Sequence, residues 1–374
     1  MSEQAKHAWL IRAWFFWLLL ILSDSRLAAQ TRSNVLEPAV DPRGAAELVV
    51  CSQNLALYGS FADMRAKKPA LTRVDYDIKE EALLERFIKA RCDVIAVQEV
   101  LGKDDAAALK ALQFLAAGLK NKTNRFFETQ IGASNDQNMR NGFLVAKDRA
   151  EIVNSVSYAK VELPKLMEDQ RPHLFPRGPL EIQLEVKPRG ESIAKTVTLI
   201  TFHFKSRAGG AADYSGLEFE TSRMEMAEAL RRIVENRHAQ SFASGETLLV
   251  LLGDRNSNFD TASAKILEGV LVLKNFQEQG PCRLSKRGMP LCQAGTASTQ
   301  RLFSVLTTDP QVKLLPGTFR KDKVYSWLDD IIMPLESLRF ALEDPFKEGK
   351  YASSVVYNPK AASDHALVYV KLNW

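Results

Sequence analysis

The sequence predicts an α/β fold: a four-layer α-β-β-α sandwich in which helices cover the outer faces of two packed mixed sheets. Three observations lead there. Leu48-Val49-Val50-Cys51, Val94-Ile95-Ala96-Val97 and Leu248-Leu249-Val250-Leu251-Leu252 are unbroken apolar runs of strand length, the pattern of strands buried on both faces. Strand-like segments outnumber helical ones along the chain. The helical segments are amphipathic, so each has one face to lay on a sheet and one to leave in water.

The elements follow in order. Residues 1–29 read as a signal peptide: Lys6, His7 and Arg12 lead into an apolar run over 13–22, and small residues follow at Ala28-Ala29. The run is shorter than the roughly 20 apolar residues that cross a bilayer. No stable membrane span is expected after cleavage, with an uncleaved anchor as the alternative. Residues 30–46, polar and Pro-containing, read as a linker, and 47–374 as the folded domain. After the first strand at 48–51, residues 79–90 carry Leu83, Leu84, Phe87 and Ile88 at helical spacing. A second buried strand at 94–97 completes a βαβ unit, which predicts parallel pairing.

Residues 104–119 form a second helix with acidic residues in its first turn, where the helix dipole favours them. Strand-like segments then dominate at 126–129, 142–146, 152–161, 182–186 and 197–204. A long helix over 217–235 has Met224, Ala227, Leu230, Ile233 and Val234 as its apolar stripe. Strands at 247–252, 328–333, 354–357 and 366–372 complete the set. The joints at 207–216, 275–300 and 308–322 are long for a compact domain and are candidates for contacting a substrate.

With 46% hydrophobic and 25% charged residues, the 374-residue chain has the composition of a globular protein able to bury a sizeable core. Its formal charge of +5 suits a polyanionic partner. Export bears on the four cysteines, because disulfides persist in oxidising compartments. Cys282 and Cys292 flank a Gly/Pro-containing loop, and a local bridge is expected there. Cys51 and Cys92 sit in or beside apolar runs and read as small core residues, since neither is flanked by an activating base. No Cys/His cluster has the spacing of a zinc site. His173, in a Pro-containing loop, and His238, at a polar helix end, are assigned no role.

The informative pattern lies at the strand ends. Each buried strand delivers a carboxylate, amide or imidazole at its tip: Asn54, Glu99, His203, Asp254 with Asn256, Asp329, and Asp364-His365 just before the last strand. Taken singly, such residues are turn formers or helix caps. An ordered set of six such tips points to one cleft.

The set resembles the endonuclease/exonuclease/phosphatase superfamily, with its DNase I-like fold. Gln53-Asn54 resembles the first-strand Asn motif, and Gln98-Glu99-Val100 the metal-ligand Gln-Glu. His203 in Thr201-Phe202-His203-Phe204-Lys205-Ser206 is similar to the central His, and Gly253-Asp254-Arg255-Asn256 to Gly-Asp-x-Asn. Leu328-Asp329-Asp330-Ile331-Ile332 and Ser363-Asp364-His365 resemble the last two motifs. The resemblance covers about residues 46–374; Arg177-Gly178-Pro179-Leu180 and Arg223 add a likeness to exported bacterial nuclease-like members. Three positions depart from the pattern. Ala56 stands where several nucleases carry a carboxylate, Arg140 near where many have a Tyr, and Asp330 where an aromatic or His is usual.

The resemblance implies an exported, divalent-metal-dependent phosphodiesterase, foremost an endonuclease acting on DNA, with RNA a further candidate. Asn54, Glu99 and Asp364 would hold Mg²⁺, with Mn²⁺ or Ca²⁺ as alternatives, because hard oxygen donors suit these ions. Asp254 would orient and deprotonate water, and Asn256, two residues on and on the same side of an extended chain, would hold that water or a phosphoryl oxygen. Asp329 would fix the His365 imidazole, which then donates to phosphate or acts as acid. His203 would be a second donor, and Arg140, Lys205 and Arg207 would neutralise flanking phosphates. A secreted or periplasmic monomer with a nucleic acid substrate and no protein partner is expected. Two alternatives compete. A sphingomyelinase-like phospholipid or inositol-phosphate phosphohydrolase should expose an apolar hairpin or aromatic loop, and none stands out beyond the leader. A non-catalytic binding protein on the same scaffold should have lost the polar set, which is present.

Overall fold

The first apolar run continues beyond its hydrophobic residues, because the computed structural model carries strand β1 from Leu48 to Tyr58. The structure describes residues 48–168, 173–187, 194–207, 219–244, 247–296, 300–321, 324–341 and 352–374. The segments read from the sequence as a signal peptide (1–29) and a linker (30–46) lie outside the described residues. The strands that follow are β2 (Val94–Leu101), β3 (Phe127–Ile131), β4 (Met139–Ala146), β5 (Ala150–Ser157), β6 (Leu180–Val186), β7 (Lys195–His203) and β8 (Leu248–Asp254). Beyond them come β9 (Arg283–Leu284), β10 (Pro290–Leu291), β11 (Leu302–Ser304), β12 (Phe319–Lys321), β13 (Val324–Ser326), β14 (Asp329–Pro334), β15 (Ser353–Val356) and β16 (Leu367–Leu372).

Two six-stranded sheets result, one ordered β15-β16-β1-β2-β4-β3 and the other β11-β14-β8-β7-β6-β5. β1 and β2 pair in parallel, as the βαβ reading predicts, and so do β7 and β8. The sheets pack face to face, with β1, β2 and β16 against β7, β8 and β14. Alternation along each strand assigns the faces. Leu249 and Leu251 of β8 join an outer cluster with Leu230 and Val234, which leaves fully buried Leu248, Val250 and Leu252 for the layer between the sheets.

The helices close the outer layers. α1 (Phe61–Lys67) is a short element that the sequence reading did not separate from its loop. α2 (Arg73–Lys89) starts earlier than the apolar spacing suggests, because Thr72 and Asp75 form a reciprocal capping box. α3 (Asp105–Thr123) is capped by the Asp104 side chain and ends at left-handed Asn124. Leu83 and Phe87 of α2 and Leu112 and Leu115 of α3 pack with Ile95, Val97 and Leu144. α4 (Glu220–Ser244) covers the second sheet through Leu230 and Val234 against Phe202 and Phe204. The α-β-β-α sandwich expected from the sequence is thus the observed architecture. Among the described residues no helix is long and apolar enough to cross a membrane.

Two expectations need correction. Cys51 and Cys92 are not independent core residues but a buried disulfide that joins β1 to the turn entering β2, across a sequence separation of 41. Only the parallel β1–β2 crossover brings them together, so no local signal marks the pair. Cys282–Cys292 forms as expected. The second correction concerns apolar hairpins: β9 and β10 make one that exposes Leu284, Met289 and Leu291. Its strands are only two residues each, too short for the sequence pattern to show.

The buried bridge makes a stability prediction. A loop of that length closed in the unfolded chain is worth roughly 3–4 kcal/mol. The double variant Cys51→Ala/Cys92→Ala should therefore melt several degrees lower in a thermal scan, whereas an unchanged melting temperature would show that the bridge contributes no stability.

Candidate active site

The tips of both sheets converge because the strands stop in register. His203 pairs with Asp254 across β7–β8, and Asp254 with Asp329 across β8–β14. Gly253 makes that approach feasible. It has φ +156°, and a Cβ there would lie 2.0 Å from the Phe202 carbonyl oxygen. On the other sheet the ladder between β1 and β2 slips just beyond Asn54, where Ala56 and Leu57 take positive φ, as does Glu99. Asn256 does the same after β8. Such conformations cost non-glycine residues about 1–2 kcal/mol each, and here they turn side chains from two sheets towards one another.

Asn54 spans the gap. Its Nδ2 donates to Asp254 Oδ2 at 2.9 Å and to Glu99 Oε1 at 3.2 Å, while its Oδ1 accepts from the Ala56 N–H at 2.9 Å. The carboxamide is therefore placed to orient two carboxylates, and its oxygen accepts one backbone hydrogen bond, which leaves a second lone pair. Asp254 also accepts from the Asn256 backbone N–H at 2.7 Å and from Asn256 Nδ2 at 3.2 Å. His203 Nε2 lies 3.5 Å from Asp254 and 3.9 Å from Glu99. His365 Nδ1 donates to Asp329 Oδ2 at 2.8 Å, and its Nε2 lies 3.8 Å from Asp254 Oδ2. Seven of the predicted residues, Asn54, Glu99, His203, Asp254, Asn256, Asp329 and His365, thus share one cluster.

Electrostatics divides their states. Burial pushes the Asp254 carboxyl well above the usual carboxylate range, and Asp329 adds to this, while His365, Asn54 and the Asn256 N–H oppose it. Burial depresses His203 far below its ordinary value, and Arg177 and His365 act in the same sense, so His203 is neutral at physiological pH. Burial alone would depress His365 too, but Asp329 and Asp254 outweigh it and hold the imidazole at about 10. It is cationic at neutral pH. Asp329→Asn should therefore drop the His365 titration by several units, read from imidazole NMR shifts against pH. An imidazole still titrating near 10 would show that Asp329 does not set it.

The remaining predicted residues lie around this cluster. Asp364 is exposed at the rim, with its Oδ1 3.4 Å from Ser363 Oγ. Lys205 Nζ sits over the Phe219 ring at 4.4 Å, and Arg207 bonds Ser326 Oγ at 3.1 Å. Arg140 is a correction. Its buried guanidinium bonds Asp105 at 2.6 Å and the Gly102 carbonyl at 2.7 Å, which ties β4 to the start of α3 instead of presenting a phosphate donor.

Several supports had no role assigned from the sequence, although Arg177 and Asp330 stood out in it. Arg86, only 1% exposed, donates to Gln53 Oε1 and to the carbonyls of His365 and Tyr357 at 2.6–3.0 Å, and so fixes the chain that carries His365. It sits beside Phe87 on the buried face of α2, where an apolar stripe does not reveal it. Arg177 is buried and donates to the Phe204 carbonyl at 2.8 Å, within electrostatic reach of Glu99, Asp254 and His203. Lys79 donates to the Ala362 carbonyl at 2.9 Å and feels Asp364 and Glu99. Asp330 replaces the usual aromatic because Arg255 faces it at 2.8 Å and Ser304 donates to it at 2.6 Å. Phe319 of β12 lies against His365 with ring centroids 4.7 Å apart.

The donor set fits a hard divalent cation. Glu99 is the cluster carboxylate with solvent access, its side chain 20% exposed, and exposed Asp364 shares with it electrostatic reach to Lys79. All four cysteines are bonded in disulfides, so no thiolate competes. Among the described residues, Asp254, Asp329 and His365 also bring ligand atoms within 4.8 Å of one another. The Nδ1–Asp329 bond makes those two residues a dyad.

Comparisons with known proteins agree with this architecture. No family model and no curated protein sequence matches the chain. Among solved structures, the human Nocturnin catalytic domain with bound sulfate is similar at TM-score 0.50 and 15% identity, covering 86% of this chain and 93% of that one. An endonuclease/exonuclease/phosphatase from Bacteroides vulgatus is similar at TM-score 0.50 and 13% identity, covering 87% and 98%. ANGEL2, a 2',3'-cyclic phosphatase, is similar at TM-score 0.50 and 13% identity, covering 86% and 94%. Identities this low speak to architecture, and the chain has the two-sheet fold of the endonuclease/exonuclease/phosphatase superfamily.

Proposed function

We propose that this chain is a divalent-metal-dependent phosphodiesterase that hydrolyses nucleic acid, DNA in the first place. One observation carries the reading. A buried carboxylate, Asp254, is aimed by Asn54 and Asn256 at a point that the His365 imidazolium, held by Asp329, also faces. Phosphodiester hydrolysis needs a base for water and positive charge for the oxygens of the transition state. With its raised affinity for protons, Asp254 takes the proton of the attacking water. Asn256 holds that water through the carboxamide. His365 donates from Nε2 to a phosphoryl oxygen, and neutral His203 offers a further contact. Glu99 and Asp364 would hold a Mg²⁺ ion, which would supply Lewis-acid stabilisation of the charge on the phosphate.

The lip of the cleft supports a nucleic acid. The β12–β13 hairpin is joined to the His365 segment by Ala366 N–H to the Thr318 carbonyl and Arg320 N–H to the Asp364 carbonyl. It carries Phe319, Tyr325 and the exposed Arg320 and Lys321, and Arg207 bonds its Ser326. Cations that track phosphates and rings that stack on bases are the combination single-stranded nucleic acid selects. Paired cysteines support export, since such bonds persist in a secreted or periplasmic setting. A phospholipid head group is the second reading, favoured by the exposed apolar β9–β10 hairpin.

The purified protein should be offered plasmid, single-stranded DNA, RNA, sphingomyelin and a bis-aryl phosphate, each with Mg²⁺ and then with EDTA. Nicked plasmid or shortened strands with Mg²⁺, and no turnover with EDTA, are expected. Cleavage of lipid but not nucleic acid would replace the first reading with the second. If no phosphoester turns over under any divalent metal, the enzymatic reading is wrong and a binding protein takes its place.

A further inference from the structure

We propose that the disulfide-stapled hairpin of β9 and β10 docks the protein on anionic lipid bilayers, whichever phosphoester the cleft takes. A two-residue ladder is marginal on its own, yet this one is held at both ends. Cys282–Cys292 closes its base. A tight turn closes its tip, with the Gly288 N–H on the Ser285 carbonyl, the Met289 N–H on Ser285 Oγ, and Gly288 at φ +74°. Pairing of Leu284 with Pro290 and of Arg283 with Leu291 places apolar side chains on both faces. Neither face packs on a core: Leu284 is 41% exposed, Leu291 57% and Met289 63%.

The charges around these side chains name the partner. Residues 281–293 contain Arg283, Lys286 and Arg287, all exposed, and no Asp or Glu. None of the three is ion-paired among the described residues. A nucleic acid would satisfy the cations and leave Leu284, Met289 and Leu291 in water. A neutral apolar surface would do the reverse. An anionic bilayer offers both at the right depths, phosphate head groups for the guanidinium and ammonium groups and the acyl boundary beneath for the apolar tip. Because the bridge pre-orders the hairpin, little ordering entropy opposes insertion.

The test is co-sedimentation with large vesicles, using a chain that begins at residue 30 and so keeps every element of the described fold while lacking the apolar run at 13–22. Equimolar phosphatidylglycerol and phosphatidylcholine vesicles are compared with phosphatidylcholine alone. Partitioning onto the anionic vesicles should be at least about tenfold stronger. Lys286→Glu/Arg287→Glu should remove about tenfold of that binding, and Leu284→Ser/Met289→Ser/Leu291→Ser should abolish it. Both variants should keep the parent melting temperature and the parent rate on soluble bis-p-nitrophenyl phosphate. Equal sedimentation with both vesicle types, or variants that sediment like the parent, would overturn the proposal. Binding by the hairpin cations to a DNA duplex but not to vesicles would overturn it too. A chain that binds vesicles but hydrolyses nothing would refute the hydrolase reading and leave this one standing.

Discussion

Replacing Asp254 by Asn should lower kcat on a phosphodiester by on the order of a thousandfold, the scale of a positioned general base. The substitution keeps the shape of a fully buried side chain and removes a charge whose ionisation burial already disfavours. One amide hydrogen will face the donors Asn54 Nδ2 and Asn256 Nδ2, but losing the buried charge offsets that cost. The melting temperature should therefore stay close to the parent value while turnover collapses. His365→Ala should show a comparable loss. The double variant should lose little more than either single, because groups acting on one transition state do not contribute independently. Steady-state rates on a soluble bis-aryl phosphate with saturating Mg²⁺ decide it. Asp254→Asn turnover within about tenfold of the parent would remove Asp254 from the base role.

Replacing Arg86 by Met should cost about 3–5 kcal/mol of stability, the range for removing one partner of a buried charged network. The guanidinium satisfies the buried Gln53 Oε1 and His365 carbonyl and the half-buried Tyr357 carbonyl. Met fills most of the volume but donates nothing, so Gln53 Oε1 and the Tyr357 carbonyl lose this donor and the His365 carbonyl keeps only Gln53 Nε2 at 3.2 Å. Arg86→Lys should recover part of the loss, since one ammonium cannot reach both sides of the fork. Denaturant unfolding followed by circular dichroism measures the difference. A change below about 1 kcal/mol would mean that the strand bearing His365 is held by something else. Arg86 touches no position where substrate could sit, so any fall in activity should track the displacement of His365.

Much of the architecture was readable because its signals are local. Unbroken apolar runs marked β1, β2 and β8 as strands covered on both faces, and a βαβ spacing marked the parallel pair. Element ends were less legible. α2 begins six residues before the start expected at residue 79 because a capping box at Thr72 and Asp75 sets its start. The hairpin at 283–291 fell inside a segment read as a loop and the one at 319–326 began in another, since two- and three-residue strands carry no period to detect.

By itself, the sequence determined the kind of fold, the order of its strands and which polar residue stands at each tip. Run length and alternation depend only on neighbours along the chain. What each tip does was decided in three dimensions. Asn54 became a donor bridging Glu99 and Asp254, and Arg140 was drawn away to Asp105. Arg86 was buried behind His365, and Cys51 met Cys92. A side chain with several donors or acceptors takes whichever partners the crossing of two sheets brings within about 3 Å, and no local pattern encodes that crossing.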